Sequence, residues 1–283
     1  MSDAFRIDEA TRVTQVSLAV ADLVKMSHFY QHVVGLRLDY ETEETAVFST
    51  NTSPILQLSS RPTGQQHPNA IGLFHFALLL PNRPALGQWL NHYEQRHALR
   101  SSADHLYSEA VYINDPEGNV VELYCDRPRH TWYDADGKVK MGTLPLDLES
   151  LRVSAEPAPF THLPENTQLG HVHLQIHDVA ECMQFYSKQL GLDNISMTES
   201  AGFVGAGGYH HHIGFNIFNS KNGKLPPKGS LGLISYTLRL PSKLAKRQLR
   251  KHLAKHNYPF IEHENGFCLS DPSGIQIVVT TEE

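Results

Sequence analysis

At 283 residues and 40% hydrophobic, the chain is long enough for two domains and apolar enough for an ordinary packed core. Its formal net charge of -6, with acidic and basic residues interspersed, offers no positive face to track a phosphate backbone, so nucleic acid is excluded as an expected partner. No charged segment precedes an apolar one at the start of the sequence and no apolar run is long enough to span a bilayer, so a cytoplasmic protein without membrane contact is expected.

The first predicted element is the alternating strand in "RVTQVSLAV" from Arg12. Asp22 then stands where it can cap the amphipathic helix "LVKMSHFYQHVV", and Gly35 where it can end it. Short strands with turn signals follow. A second opening strand lies in "GLFHFALLLPNR" from Gly72, and "DPEG" marks a tight turn before the closing strand "NVVELY". Residues 128–167 are rich in proline and polar residues and read as an ordered connector with a short helix near "DLESL". Beyond it, "QLGHVHLQIHDVAECMQFYSKQLGLDN" from Gln168 starts the series again, "GGYHHHIGFN" reads as a closing strand, and "GLISYTLRLPSK" and "CLSDPSGIQIVVT" complete a last module.

The series repeats residue by residue. Asp22, Phe29, Tyr30, Gly35 and Leu36 fall on Asp178, Phe185, Tyr186, Gly191 and Leu192 with no gap. "GLFHFALLLPNR" falls on "GLISYTLRLPSK", and "YINDPEGNVVELY" on "CLSDPSGIQIVVT". The expected class is α+β: four βαβββ modules, whose single curved sheets must pair to cover their concave faces, giving two open, barrel-like sheets. The first domain then runs over residues 10–127, the connector over 128–167 and the second domain over 168–283. Cys125, Cys182 and Cys268 lie far apart without CxxC spacing, which argues for buried small hydrophobes against a zinc knuckle or disulfide framework. Histidine, at 18 copies, is the unusual component, and imidazole is a common ligand for divalent transition metals.

Four βαβββ modules with "DPEGNVVELY" as a last-strand signature resemble the vicinal oxygen chelate superfamily of glyoxalases, bleomycin or fosfomycin resistance proteins and extradiol dioxygenases. "GLFHFALLLPNR", "DRPRHTW", "LGHVHL" and "GGYHHHIGFN" together resemble its bacterial two-domain catechol 2,3-dioxygenase branch. The resemblance implies metal-ligand positions in the middle of the first and last strand of each module. Here these are Gln15 and Gln57, His75 and Glu122, His171 and Asn216, and Ser235 and Val278. Pairing in chain order would scatter the good ligands. Pairing module two with module three brings His75, Glu122 and His171 together as a 2-His-1-carboxylate set, the arrangement of non-haem iron oxygenases. Alternation along "GLFHFALL" puts His75 on one face with Ala77 and Leu79.

By the same resemblance, His211 in "HHIGF" is the acid-base residue toward the substrate. Tyr112, ten residues before Glu122, is the tyrosine that hydrogen-bonds a catecholate oxygen, and His105 lies near a further site histidine. His212 is expected to face away from His211, and the role of His210 is open. The expected activity is ring cleavage of catechol or a small catechol-like compound by dioxygen with Fe(II), while Mn(II), Ni(II) and Zn(II) also suit these ligands. Modules one and four would form a metal-free sheet, and an exposed sheet edge leaves room for a homodimer. Two other readings stand beside this one: a glyoxalase-I-like metal-dependent lyase or isomerase, disfavoured by Asn216 where a second carboxylate is wanted, and a non-catalytic protein that sequesters an aromatic ligand.

Overall fold

Four times along the chain the computed structural model, which describes residues 5–51 and 53–281, runs strand, helix and three strands. The first pass is β1 (Arg12–Val20), α1 (Leu23–Phe29), β2 (Arg37–Glu41), β3 (Thr45–Ser49) and β4 (Pro54–Ser60). The second is β5 (Gly72–Leu79), α2 (Arg83–Tyr93), β6 (Ser101–Asp104), β7 (Ser108–Asn114) and β8 (Val120–Asp126). The short helix expected in the connector is α3 (Leu148–Val153), capped by Asp147. The third pass is β9 (Gln168–Gln175), α4 (Val179–Gln184), β10 (Asp193–Met197), β11 (Ala201–Gly205) and β12 (Ile213–Asn216). The fourth is β13 (Gly232–Leu240), α5 (Lys243–Lys255), β14 (Ile261–His263), β15 (Gly266–Ser270) and β16 (Gln276–Thr281).

Hydrogen bonding orders these strands into two mixed eight-stranded sheets, β14-β15-β16-β13-β1-β4-β3-β2 and β10-β11-β12-β9-β5-β8-β7-β6. The class is α+β, as the repeat predicts. By contact density the chain divides into two compact units. Of the described residues, one holds 5–18, Gln65–Phe74 and 171–281, and the other holds those of Ala19–Gly64 and His75–Gly170.

The helices start where the side chains can satisfy their first amides. Asp22 accepts from Lys25 N–H, Asn82 from Ala85 N–H, Asp178 from Glu181 N–H and Ser242 from Ala245 N–H. One expectation is corrected. The single helix read from Leu23 to Val34 is α-helical only to Phe29 and continues as a π-turn over Tyr30–Val34, and α4 continues in the same way over Phe185–Gln189. The wider turn lets two consecutive aromatics bury side by side, Phe29 with Tyr30 and Phe185 with Tyr186, which a regular amphipathic face does not provide. Gly35, at φ 91°, takes the left-handed conformation that closes the first of these helices.

Within the unit that contains residues 75–170, Trp89 stacks on Tyr93 and donates its indole hydrogen to Val34 O at 3.0 Å. Tyr30 packs near Phe48 and Phe76, and its hydroxyl donates to Asp115 Oδ2 at 2.8 Å. Within the other unit Tyr186 stacks on Phe215 and donates to Asp271 Oδ2 at 2.9 Å. Each aspartate opens the turn predicted at "DPEG" or "DPSG", where Gly118 and Gly274 both sit at φ 87°. Cys125 and Cys182 are buried as free thiols and Cys268 is half-buried. Among the described residues no helix is long and apolar enough to cross a membrane.

Candidate metal centre

In the unit holding residues 75–170, the register of three strands decides which side chains meet. β5 pairs parallel with β8, setting Ala77 beside Glu122, and β7 pairs antiparallel with β8, setting Tyr112 beside Glu122. Side chains alternate between faces, so His75 and Ala77, Glu122 and Tyr124, and Tyr112 and Ala110 share one face. On it His75 Nε2 lies 3.0 Å from Glu122 Oε2, and the two residues are only 6% and 2% exposed. A carboxylate this deep is costly unless a cation or donors meet it. Tyr112 lies edge-on to the His75 ring. Its hydroxyl is held well above the ordinary phenol range by burial first, then by the charge of Glu122, by Tyr107 and by a hydrogen bond with Glu122. His105 reaches the same hydroxyl, with Nε2 at 2.9 Å, while its Nδ1 lies 3.2 Å from Gly142 O.

In the unit that runs from His171 onward, β9 presents His171, His173 and Gln175 on one face, and His171 is 2% exposed. The histidine run is not strand, contrary to the sequence expectation. β12 begins only at Ile213, and residues 207–212 form the bend that enters it. Gly207 and Gly208, at φ 59° and 69°, take the left-handed conformations that turn the chain, and a Cβ on Gly207 would collide with Glu9 O. The bend separates what a strand would only alternate. His211 turns its ring to 4.2 Å from that of His171, centroid to centroid, while its Nδ1 lies 2.9 Å from Nδ1 of His210. His212 faces elsewhere, as expected, and its Nδ1 accepts the Ala206 amide at 3.1 Å. Burial, then the nearby positive charge of Arg12, holds the His212 imidazole well below its ordinary pKa.

His75, Glu122 and His171 each offer one ligand atom, and these atoms lie within 4.8 Å of one another; all three residues are buried. Among the described residues no other three histidines, cysteines or carboxylates converge this way. Two imidazole nitrogens and one carboxylate oxygen at this separation are a donor set that suits a divalent first-row metal. The remaining ligand positions named from the sequence do not add to it. Gln15, Gln57, Ser235 and Val278 are half-buried, and the Asn216 amide is engaged by His173 Nε2 at 2.9 Å and by the Phe218 N–H at 3.0 Å.

Comparison with known proteins gives the family. The Glyoxalase/Bleomycin resistance protein/Dioxygenase superfamily is matched over residues 12–123. A protein of Bacillus subtilis (strain 168) named catechol-2,3-dioxygenase is 36% identical over 272 residues, covering 94% of this chain and 95% of its own. The chain belongs to this superfamily. Two solved structures resemble it: a candidate dioxygenase from Bacillus subtilis, TM-score 0.68 at 13% identity over 98% of this chain and 86% of that one, and glyoxalase I from Zea mays, TM-score 0.58 at 13% identity over 96% and 92%. At these identities the likeness speaks for the fold alone.

Two buried residues near these side chains escaped the sequence reading. His173, between Phe74 and Phe203 and bonded to Asn216, was findable, since it lies two residues from His171 on the same face. Tyr107, buried and carrying a hydroxyl whose pKa is raised by burial and then by Glu122, stands on a turn where no periodicity announces its direction.

Proposed function

We propose that the protein is an extradiol ring-cleaving dioxygenase acting on catechol or a small catechol-like compound, with Fe(II), or alternatively Mn(II), held by His75, Glu122 and His171. The observation that carries this is the buried convergence of those three donors. Bound there, the metal would lower the pKa of a coordinated phenol and bring dioxygen beside it. The adjacency of β5 and β9 in one sheet supports reading the second and third modules as the ones that share the site. The relative named catechol-2,3-dioxygenase supports the substrate class.

The chain's own residues then divide the work. His75, Glu122 and His171 hold the cation, and burial excludes water from their ligand atoms. His211, against the His171 ring, is the acid-base residue. Its Nδ1 and that of His210 can share one hydrogen between them. With His211 donating, its Nε2 keeps a lone pair and takes a phenolic proton there. Tyr112 hydrogen-bonds a phenolic oxygen of the ring. The lyase reading asks for a second carboxylate as fourth ligand, and the corresponding Asn216 is a neutral amide committed to His173 and Phe218.

The test is anaerobic loading of the apo-protein with Fe(II), followed by catechol and air, with His171→Ala as control. The yellow ring-opened semialdehyde is expected from the wild type and not from the variant. Stoichiometric metal without colour would replace the reading by the lyase. No metal at all would leave a protein that sequesters aromatic ligands.

A further inference from the structure

The connector reaches the site face through one imidazole. Leu144 bridges to Asp104 at the end of β6, the edge strand of its sheet, with Asp104 N–H donating to Leu144 O at 2.9 Å and Leu144 N–H to Asp104 O at 2.8 Å. This covers an edge that would otherwise present unpaired amides. The same stretch lies tightly against the turn after β6, because a Cβ on Gly142 would come within 2.9 Å of the Leu106 side chain. It thereby points the Gly142 carbonyl at His105 Nδ1, 3.2 Å away, with Thr143 Oγ1 at 3.4 Å.

A carbonyl oxygen can only accept, so the Gly142 contact, shorter than that of the Thr143 hydroxyl, favours the neutral His105 ring with its hydrogen on Nδ1 and a lone pair on Nε2. Beside that lone pair, at 2.9 Å, is the Tyr112 hydroxyl. This hydroxyl has one hydrogen and two acceptors in reach, His105 Nε2 and the Glu122 carboxylate. Whichever accepts it decides how many lone pairs Glu122 keeps.

We propose that residues 142–144 of the connector set the direction of the Tyr112 hydrogen: they hold His105 as the Nδ1–H tautomer, His105 Nε2 takes the hydroxyl hydrogen, and the Glu122 carboxylate is left to a cation. His105 is then a positioning residue that acts through Tyr112 and touches neither substrate nor metal. The hydroxyl oxygen, its hydrogen directed to His105, presents lone pairs that accept from a protonated phenolic hydroxyl of an incoming ring. The cation half of this proposal rests on the metal-site reading above, and the tautomer half does not.

The two halves are tested separately. In protein labelled with 15N-histidine at pH 8, long-range 15N–1H correlations should show His105 as the Nδ1–H tautomer in the absence of any metal. An Nε2–H tautomer would overturn the proposal. Mn(II) titration by calorimetry reads the rest: His105→Phe should weaken Mn(II) about 10-fold, the scale of lost support to a metal ligand, whereas in a Tyr112→Phe background the same change should have no effect. An equal loss in both backgrounds would make His105 merely structural and sink the idea. If the phenylalanine variant does not fold, Leu144→Pro removes one latch donor and should turn the His105 spectrum toward a mixture of tautomers; an unchanged spectrum would deny the connector its role. Wild type that binds no Mn(II) would defeat the metal-site reading and the cation half with it, and the tautomer measurement would still decide the other half.

Discussion

Tyr30 with Asp115 in the first half of the chain and Tyr186 with Asp271 in the second are one lock built twice. Both pairs are 85 residues apart, both join a buried hydroxyl to an aspartate Oδ2, at 2.8 and 2.9 Å, and both tyrosines lie at the passage from α-helix to π-turn. The repeated strands agree wherever they hold the fold and differ on the alternate positions. His75, Tyr112 and Glu122 fall in the repeat on Ser235, Cys268 and Val278. Scaffold and chemistry thus occupy opposite faces of the same strands, and the period of two lets one change while the other stays.

The sharpest way to break this comparison is to make one half read like the other. Glu122→Val gives β8 the residue that β16 carries at 278. Valine suits a paired strand and removes a buried charge together with its need for a counter-ion, so the fold should persist. Stoichiometric Fe(II) or Mn(II) should be lost, and ring opening should fall by at least about 10³-fold, since a metal's charge stabilisation is worth several kcal/mol. Metal analysis and single-turnover absorbance read both effects. A Glu122→Val protein that still binds one metal per chain would put the centre elsewhere.

How legible each half was follows from the same periodicity. Strand order within a module, the caps at Asp22 and Asp178 and the turns at Asp115 and Asp271 are local matters, decided by residues a few positions apart, and the sequence announces them. His75, Glu122 and His171 were legible as candidates through the superfamily resemblance, which marks the middle of the first and last strand of each module. Their convergence within 4.8 Å could not be read from periodicity, which is silent on which strands become neighbours. The histidine run misled for a physical reason. Set between Tyr209 and the apolar "IGF", the run reads as part of a closing strand, and the left-handed backbone at Gly207 and Gly208 makes it a bend. The Tyr112 to His105 to Gly142 chain was invisible, since it depends on a connector folding back onto a sheet edge.

The two locks are not equally redundant, and hydroxyl deletion should expose this. Asp115 Oδ2 also accepts from Asn119 Nδ2 at 2.7 Å, so Tyr30→Phe leaves that oxygen satisfied. Tyr186 OH donates to Asp271 Oδ2 and also accepts from Tyr236 OH at 3.2 Å, so Tyr186→Phe strands two buried groups at once. The expected costs are about 1 kcal/mol for Tyr30→Phe and about 2–3 kcal/mol for Tyr186→Phe. Urea unfolding of the two variants side by side gives the difference, and equal midpoints would mean that the second lock has another donor in reserve.

The smallest effect is a pH slope. Burial is the main cause that raises the Asp271 carboxyl from its ordinary 3.8 to about 6, and backbone and Tyr186 hydrogen bonds pull it back only in part. Asp115 is raised in the same direction for the same first cause, against four hydrogen bonds that lower it. A raised acid binds its proton more readily folded than unfolded. Its contribution to stability is therefore fully present below the ordinary carboxylate pKa and is lost as pH climbs through the folded value, with a slope of at most about 1.4 kcal/mol per pH unit. For Asp271 that window runs from 3.8 to about 6. Asp271→Asn fixes the side chain neutral, and the Tyr186 hydroxyl can turn to accept from the new amide. The wild type should lose stability relative to this variant as pH rises across the window, with the two urea midpoints running parallel above it. Midpoints that run parallel throughout would show the aspartate ionising at its ordinary pKa, and the lock would then be an ion–dipole contact with no stored cost of burial.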